Sequence, residues 1–586
     1  MQLFVLVGAI GTAAAAGQHR PHLLVMMADQ LRWDALGRAA GSAKKGTPAL
    51  DRLAAEGLTV RYAWSSTPTC TPARAALLTG RSPWRHGMLG YGEIAPRYDH
   101  ELPRVLAEGG YYTKAIGKNH FGWNASLDSG IAHGYQETFL YDGLGKWDPS
   151  VPNSWKGEWD DYDRWFAKQM PGKDPQATLD SVDGDGWNAW HGRPYIYNES
   201  LHPTAWVGQS SVDFIRSYPN DTDGVQPFML KVSFHRPHSP YDPPQRFLDG
   251  VHERDLQPVK LCAGASRNAQ TRLSGGRGGR WCLQFRGAEG DPIGCGPTAD
   301  AWCGMMPVRE SILSRRAYMA SVRFIDEWVG LIYSALVDRN LLERTWILWT
   351  SDHGDGQGDM YHWRKGYPYE FSAHVPMFLR WPQQWADDNP HASMVKRGET
   401  IDPPVVTELR DVFHTMVHAA GLAHNASLVP KRNSGAYSSF APQDGKSMLC
   451  LLQDPTGQSY CDYPPNPGPW RQWIDMEHST CYNMSNHWSA LTDGRMKYIY
   501  RAWDGEEQLF NLTSDPEETV DVSELASSAA DLKLWRERLV AQFEYEGRGR
   551  DWVLDGKLVI RTAGTTYSPY YPHQGRSSLA AETFEI

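Results

Sequence analysis

The chain has 586 residues, of which 41% are hydrophobic and 22% charged, with a formal net charge of −10. This is the composition of a soluble globular protein too long for one simple core, and two domains are the natural expectation. No long basic run accompanies the acidic balance, which argues against nucleic acid as a partner.

Met1–Ala16 is apolar but too short for a membrane span. It ends in Ala13-Ala14-Ala15-Ala16-Gly17, small residues suited to signal-peptidase cleavage, although a basic n-region is missing. Residues 1–16 therefore read as a signal peptide, and no later stretch is long and apolar enough to cross a bilayer. Six Asn-x-Ser/Thr sequons, at Asn124, Asn198, Asn220, Asn425, Asn483 and Asn511, agree with passage through the secretory pathway, to the extracellular space or the lysosome.

Leu23-Leu24-Val25-Met26-Met27-Ala28 reads as a buried strand of a parallel sheet and runs into Asp29-Gln30. Thr47–Gly57 reads as a helix, with Thr47 as N-cap, Pro48 at the first helical position and a terminal Gly. In Cys70-Thr71-Pro72-Ala73-Arg74-Ala75-Ala76-Leu77-Leu78-Thr79-Gly80, Pro72 suits a first helical turn, Ala73–Leu78 are good helix formers and Gly80 supplies the stop. Cys70 then lies at a helix N-terminus, where free N–H groups and the dipole favour an anion, and Arg74 one turn on adds a charged fork. The plain alternative is a buried structural Cys beside a solvated Arg. Leu102–Gly109 repeats the Pro-start, Gly-stop pattern.

Residues 145–190 hold Trp147, Trp155, Trp159, Trp165, Trp187 and Trp190 among many Asp, Gly and Pro. No element is legible there; a sugar-stacking insertion and an aromatic-pinned surface excursion weigh about equally. Phe228–Phe234 is a second buried-strand run, delivering His235-Arg236-Pro237-His238. Cys262, Cys282, Cys295 and Cys303 fall in a Gly/Arg-rich insertion at about 250–310, read as stapled by two disulfides. Ser314–Leu336 has a helical stripe of Tyr318, Val322, Ile325, Val329 and Ile332. Trp346–Thr350 is the third strand run, delivering Ser351-Asp352-His353-Gly354. Three strands that each end in polar, metal-competent residues argue for one site along the C-terminal edge of an open α/β sheet.

After about residue 430 the character changes. Met496–Tyr500, an Asp504-Gly505 turn and Glu507–Leu512 read as a hairpin, and Asp531–Glu546 as a helix. Cys450 and Cys461 are close enough to pair, which with Cys70 set aside leaves one cysteine odd, Cys481 being the candidate; the alternative is that all eight pair and Cys70 is structural. The expected fold is α/β, a large mixed and mostly parallel sheet flanked by helices over residues 20–430, with a smaller α+β C-terminal domain over 431–586.

The Cys-x-Pro-x-Arg…Thr-Gly run resembles the signature of the formylglycine-dependent sulfatases of the alkaline phosphatase superfamily. Gly117-Lys118-Asn119-His120, Pro237-His238-Ser239-Pro240, Asp352-His353, Lys365–Ser372 and Gln508–Leu512 with Asp515-Pro516 resemble further blocks of that family. The resemblance implies that a formylglycine-generating enzyme oxidises Cys70 to formylglycine, whose hydrate attacks sulfur and later expels sulfate. It implies metal ligation by Asp29, the Cys70-derived oxygen, Asp352 and His353, an oxygen-rich set suited to Ca²⁺ with Mg²⁺ second. Gln30 stands where many members have a second Asp, and its part in ligation is left open. Arg74, Lys118 and Lys365 are implied to screen sulfate charge, His238 or Lys365 to protonate the leaving alcohol, and His120 to take a proton from the diol. Lys118, His238 and Lys365 are implied to bind substrate. His235 matches no family position and reads as structural. The expected activity is hydrolysis of sulfate monoesters, with aryl, alkyl and carbohydrate sulfates all open and a tilt to sulfated glycans. Three rivals stand: a phosphodiesterase or phosphonate monoester hydrolase of the same superfamily, a non-catalytic sulfated-glycan-binding protein, and, more remotely, a Cys-nucleophile hydrolase.

Overall fold

The computed structural model describes residues 20–37, 46–121, 133–143, 160–173, 175, 191–219, 225–262, 304–388, 394–425, 427–428, 444–479 and 486–572. Asn124, Asn220, Asn483, Cys282, Cys295, Cys303 and Cys481 lie outside them.

The strands in chain order are β1 His22–Asp29, β2 Leu58–Val60, β3 Ala63–Trp64, β4 Tyr112–Gly117, β5 Glu137–Leu140, β6 Phe228–Pro237, β7 Thr345–Ser351, β8 His374–Val375, β9 Phe378–Arg380, β10 Thr400–Ile401, β11 Thr407–Glu408, β12 Ile474–His478, β13 Trp488–Thr492, β14 Met496–Arg501 and β15 Glu507–Asn511. The main sheet has eight strands in the order β10-β2-β9-β7-β1-β6-β4-β5. Only β9 runs against its neighbours β2 and β7; β1 is parallel to both β6 and β7, and β4 to both β5 and β6. The sheet is therefore mixed and mostly parallel, as expected.

The three apolar runs are its central strands, and every residue of β1, β6 and β7 is buried. Alternate residues feed opposite faces. Leu23, Val25 and Met27 join a core with the Cys70 helix and the helix Arg410–Ala419. Leu24, Met26 and Ala28 join a second core with the helices Pro203–Ser217 and Val308–Asp338. Met448–Leu452, Tyr463 and Trp470 pack into the first of these cores. The antiparallel β12–β15 sheet is covered by the helix Ala529–Tyr545 through Trp535, Leu539 and Phe543.

The structure departs from the sequence reading in three places. The long helix starts at Val308, earlier than Ser314, because its first turns are part-exposed and carry no apolar stripe to mark them. A helix Asp161–Gln169 occupies part of the Trp-rich segment; Asp160 caps it by accepting from Asp163 N at 2.9 Å, and Tyr162 and Phe166 form its buried face. Thr47 makes no side-chain cap on the helix Pro48–Ala55. Its hydroxyl accepts instead from Gly37 N at 3.0 Å, and Asp326 of the long helix reaches across to accept from Ala49 N at 3.1 Å and Leu50 N at 2.8 Å. A cap supplied from a distant element leaves no local trace in the sequence. Cys450 is bonded to Cys461, and Cys262 is disulfide-bonded to a residue outside the described set. Among the described residues no helix is long and apolar enough to cross a membrane.

Replacing Asp326 by Ala should cost about 1–2 kcal/mol in unfolding free energy, the usual loss for a helix cap. Urea denaturation of Asp326→Ala measures it, and a change below about 0.5 kcal/mol would show that the long-range cap contributes little.

Candidate active site

Adjacent parallel strands end side by side, in the order β7-β1-β6-β4. Their C-terminal ends present Asp352 and His353, Asp29 and Gln30, His235 and His238, and Lys118 to His120. A register shift between Ala28 and Asp29 turns the end of β1, and His238 N donates to Asp29 O at 3.1 Å. The helix Cys70–Thr79 lies over this edge with Cys70 as its first residue and Gly80, at φ 68°, as its C-cap.

Cys70 is 1% exposed. Lys365 Nζ lies 2.9 Å from its Sγ, His353 Nε2 3.3 Å, Asp29 Oδ1 3.7 Å and Lys118 Nζ 4.0 Å. Burial and Asp29 push the thiol up, but Lys118, Lys365 and His353 outweigh them and bring it below its ordinary range. Lys365 loses charge stability to burial, yet Cys70 and Asp29 hold its proton above the usual range.

Asp29 and Asp352 are fully buried. Asp29 Oδ2 pairs with Lys118 Nζ at 2.6 Å and Arg74 Nη2 at 3.3 Å. Burial raises the Asp29 carboxyl, but the facing Lys118, His238, Lys365 and Arg74 hold it well below the ordinary carboxylate range. Asp352 Oδ2 accepts from Arg74 Nε at 3.0 Å and Nη2 at 2.8 Å, while its Oδ1 accepts from Gln30 N and His353 N, both at 3.0 Å. Arg74 Nη1 donates to Lys118 O at 2.8 Å and Ser233 Oγ at 3.1 Å. The guanidinium thus spans both carboxylates, and these contacts commit its donors to protein acceptors.

His353 Nδ1 pairs with Gly354 O at 2.9 Å, which sets the tautomer with Nε2 toward Asp29 and Cys70. His238 Nδ1 likewise pairs with Ser239 O at 2.8 Å. His120 has a left-handed backbone, φ 53°, and stands edge-on to the half-buried Tyr91 at a ring separation of 6.0 Å. Burial first, then Lys118 and Arg74, push His120 well below the ordinary histidine range, and burial, then Lys365 and Lys118, do the same to His238. His235 is also depressed, by burial and then by Lys118 and Arg236, and its Nδ1 lies 2.8 Å from Arg236 Nη1.

Ligand atoms of Asp29, Cys70, Asp352 and His353 all lie within 4.8 Å of one another, and all four residues are buried. Gln30 Nε2 is tied to Asp355 Oδ2 at 2.5 Å, whereas Gln30 Oε1 is buried without a hydrogen-bond partner. Two carboxylates, an imidazole nitrogen and an orphaned amide oxygen fit a hard divalent cation.

The family model for sulfatases matches residues 21–422. The chain belongs to the sulfatase family. As a sulfatase it is a sulfuric ester hydrolase. It is 30% identical over 550 residues to an arylsulfatase of Clostridium perfringens, a match that covers 92% of this chain and 97% of that one. Its fold is similar to that of a phosphonate monoester hydrolase of Agrobacterium radiobacter, with TM-score 0.64, 21% identity and 90% and 96% of the two chains covered. It is also similar to a protein solved in complex with its substrate D-glucosamine-2-N,6-O-disulfate, with TM-score 0.58, 17% identity and coverage of 91% and 99%.

All of Asp29, Cys70, Arg74, Lys118, His120, His238, Asp352, His353 and Lys365 come together along this edge of the sulfatase fold. Sequence reasoning missed Asp355, which accepts from Gln30 Nε2, Tyr241 OH at 2.6 Å and Arg364 N at 3.0 Å, and so shapes the chain between Asp352 and Lys365. Its place in Asp352-His353-Gly354-Asp355 was the available signal.

Removing the guanidinium would strand two buried carboxylates, so Arg74→Ala should lose about 3–5 kcal/mol of unfolding free energy in the presence of a chelator. Arg74→Lys should recover only part, because an ammonium cannot fork between two acids. Urea denaturation of both variants reads this, and an Ala variant within about 1 kcal/mol of wild type would assign the carboxylates' support to Lys118 and the backbone alone.

Proposed function

We propose that this sulfatase is a secreted enzyme that hydrolyses sulfate monoesters of carbohydrates and depends on formylglycine made from Cys70. The observation that carries the reading is the ring of Lys365, Lys118 and His353 around the Cys70 side chain, above the Asp29–Asp352 pair. Secretion is supported by the apolar start Met1–Ala16 and by exposed sequons at Asn198 and Asn425; Asn511 is half-buried.

Asp29, Asp352, His353 and residue 70 would hold a divalent cation, Ca²⁺ ahead of Mg²⁺ for this oxygen-rich set, which would supply Lewis acidity and screen sulfate charge, and formylglycine at residue 70 would supply the nucleophilic hydroxyl of its hydrate. Around them, Lys365 and Lys118 offer positive charge to the sulfate oxygens. Lys365 directs its ammonium at residue 70, which makes it the leading donor to the departing alcohol, with His238 as the second candidate. Burial and Lys118 disfavour the charged form of His120, which leaves its imidazole as the acceptor for the proton of the second diol hydroxyl.

The rival reading as a phosphonate monoester hydrolase draws on the Gln30–His353 donor pair and on the fold neighbour of that activity. The complete set of Lys118, His120, His238 and Lys365 favours sulfate, and kcat/KM on 4-nitrophenyl sulfate should exceed that on 4-nitrophenyl phenylphosphonate; the reverse ranking would favour the rival.

Mass spectrometry of the tryptic peptide Tyr62–Arg74, from a eukaryotic host that modifies other sulfatases, should show formylglycine or its hydrate at residue 70. An unmodified thiol there would favour a non-catalytic binder. Cys70→Ser should abolish steady-state turnover, because a serine ester has no second hydroxyl with which to expel sulfate. If Lys365 is the acid, Lys365→Ala should slow an alkyl sulfate at least about 10-fold more than 4-nitrophenyl sulfate, whose leaving group needs no proton.

A further inference from the structure

The turn that follows β5 touches both histidine-bearing loops of the site. Asp142 Oδ1 accepts from the backbone N–H of Asn119 at 2.7 Å and of His120 at 3.0 Å. Two bonds to one carboxylate oxygen hold the residue pair across the point where the chain enters the left-handed region, φ 53° at His120. Lys231 supports the same loop from beneath: its buried Nζ donates to Asn119 Oδ1 at 3.1 Å. Asp142 is itself fixed, since its N–H donates to Asp160 Oδ2 at 3.0 Å, and Asp160 caps the helix Asp161–Gln169. The next residue is Gly143, at φ 64°, where a Cβ would lie 2.2 Å from the His235 ring. Asp142 is 2% exposed, reaches no candidate substrate position, and has no role in the reading above.

We propose that Asp142 is a positioning residue for catalysis, a carboxylate cradle that holds the strained backbone of His120 so that its ring faces residue 70. This rests on His120 acting as the base, and the test separates the two claims. Asp142→Ala, Asp142→Asn, His120→Ala and the double variant Asp142→Ala/His120→Ala are prepared as formylglycine-bearing enzyme and assayed on 4-nitrophenyl sulfate, with melting curves to confirm that each is folded at the assay temperature.

The cradle predicts that Asp142→Ala loses about 10- to 100-fold in kcat while KM moves less than about 3-fold, the pattern of a misplaced rather than an absent group. Asp142→Asn keeps the accepting oxygen and should recover most of the loss. In the His120→Ala background Asp142→Ala should cost less than about 2-fold more, because there is no imidazole left to misplace. The proposal is overturned if the Asp142→Ala loss is equally large in that background, or if Asn fails to restore the rate in a folded protein. If Asp142→Ala does not fold, Asp142→Asn and Asp142→Ser stand in, with Ser, too short to reach both N–H groups, expected to lose kcat where Asn does not. If His120→Ala alone is as active as wild type, the assignment of His120 as base falls, and the cradle falls with it for a visibly different reason.

Discussion

The structure depends on burying two carboxylates side by side. Asp29 and Asp352 end neighbouring strands and are shut off from solvent, an arrangement that costs several kcal/mol per ion unless each charge is paired with good geometry. Arg74 meets that requirement by bonding to Asp352 through Nε and Nη2 while Nη2 also reaches Asp29. Much else follows from placing one guanidinium at that point. The Cys70 helix must cross the sheet edge at β1 and β7, Gly80 must end it where the chain turns away, and Ser233 and the Lys118 carbonyl must close the remaining side. Because Arg74 is one turn beyond Cys70, the same constraint sets residue 70 above the acid pair.

The C-terminal sheet acts on this site as an outer clamp. Gly366, next to Lys365, donates its N–H to Pro68 O at 3.0 Å and accepts at its carbonyl from Asn486 Nδ2 and Trp488 Nε1, both at 3.0 Å. Glu477 N donates to Ser66 O at 2.8 Å, and Thr69 Oγ1 lies 3.4 Å from His478 Nε2. The loop before Cys70 and the loop carrying Lys365 are thus bonded to each other and to β12 and β13. Further along, Leu89 N donates to Thr566 O and Ser568 N to Gly87 O, both at 2.8 Å, which ties the end of the described chain to the segment after Gly80. The two halves of the chain share the task of holding an ammonium 2.9 Å from a sulfur.

What was legible in the sequence follows from how local each signal is. Leu23–Ala28, Phe228–Phe234 and Trp346–Thr350 read as strands because both faces of a central parallel strand are buried, and Cys70, Asp29, Asp352, Lys118 and His238 were found because each follows a strand or starts a helix in a short recognisable run. Contacts made across long sequence separations were not legible. The Asp326 cap on the helix Pro48–Ala55 and the Asp142 cradle under His120 both place an acid far along the chain from the N–H groups it serves. Arg74 was legible as a charged fork at the site but not in its direction, since the residue type fixes the fork and only the packing of the helix decides whether it faces substrate or the acids below.

That direction has a consequence for how substrates are distinguished. Arg74 is committed to the acids, and Lys118 is paired with Asp29 at 2.6 Å. Lys365 directs its ammonium at residue 70 itself. The floor of the site therefore presents a preorganised arrangement of charge, Arg74 turned to the acids and the Lys118 and Lys365 ammonium groups beside residue 70, with little freedom to adapt to the rest of a substrate. Discrimination among esters must come from residues nearer the solvent, such as the half-buried Tyr91 beside His120. Preorganised charge at the floor and variable contacts at the rim are separable by kinetics: changes at the floor should alter kcat for every ester, and changes at the rim should alter kcat/KM for one ester against another.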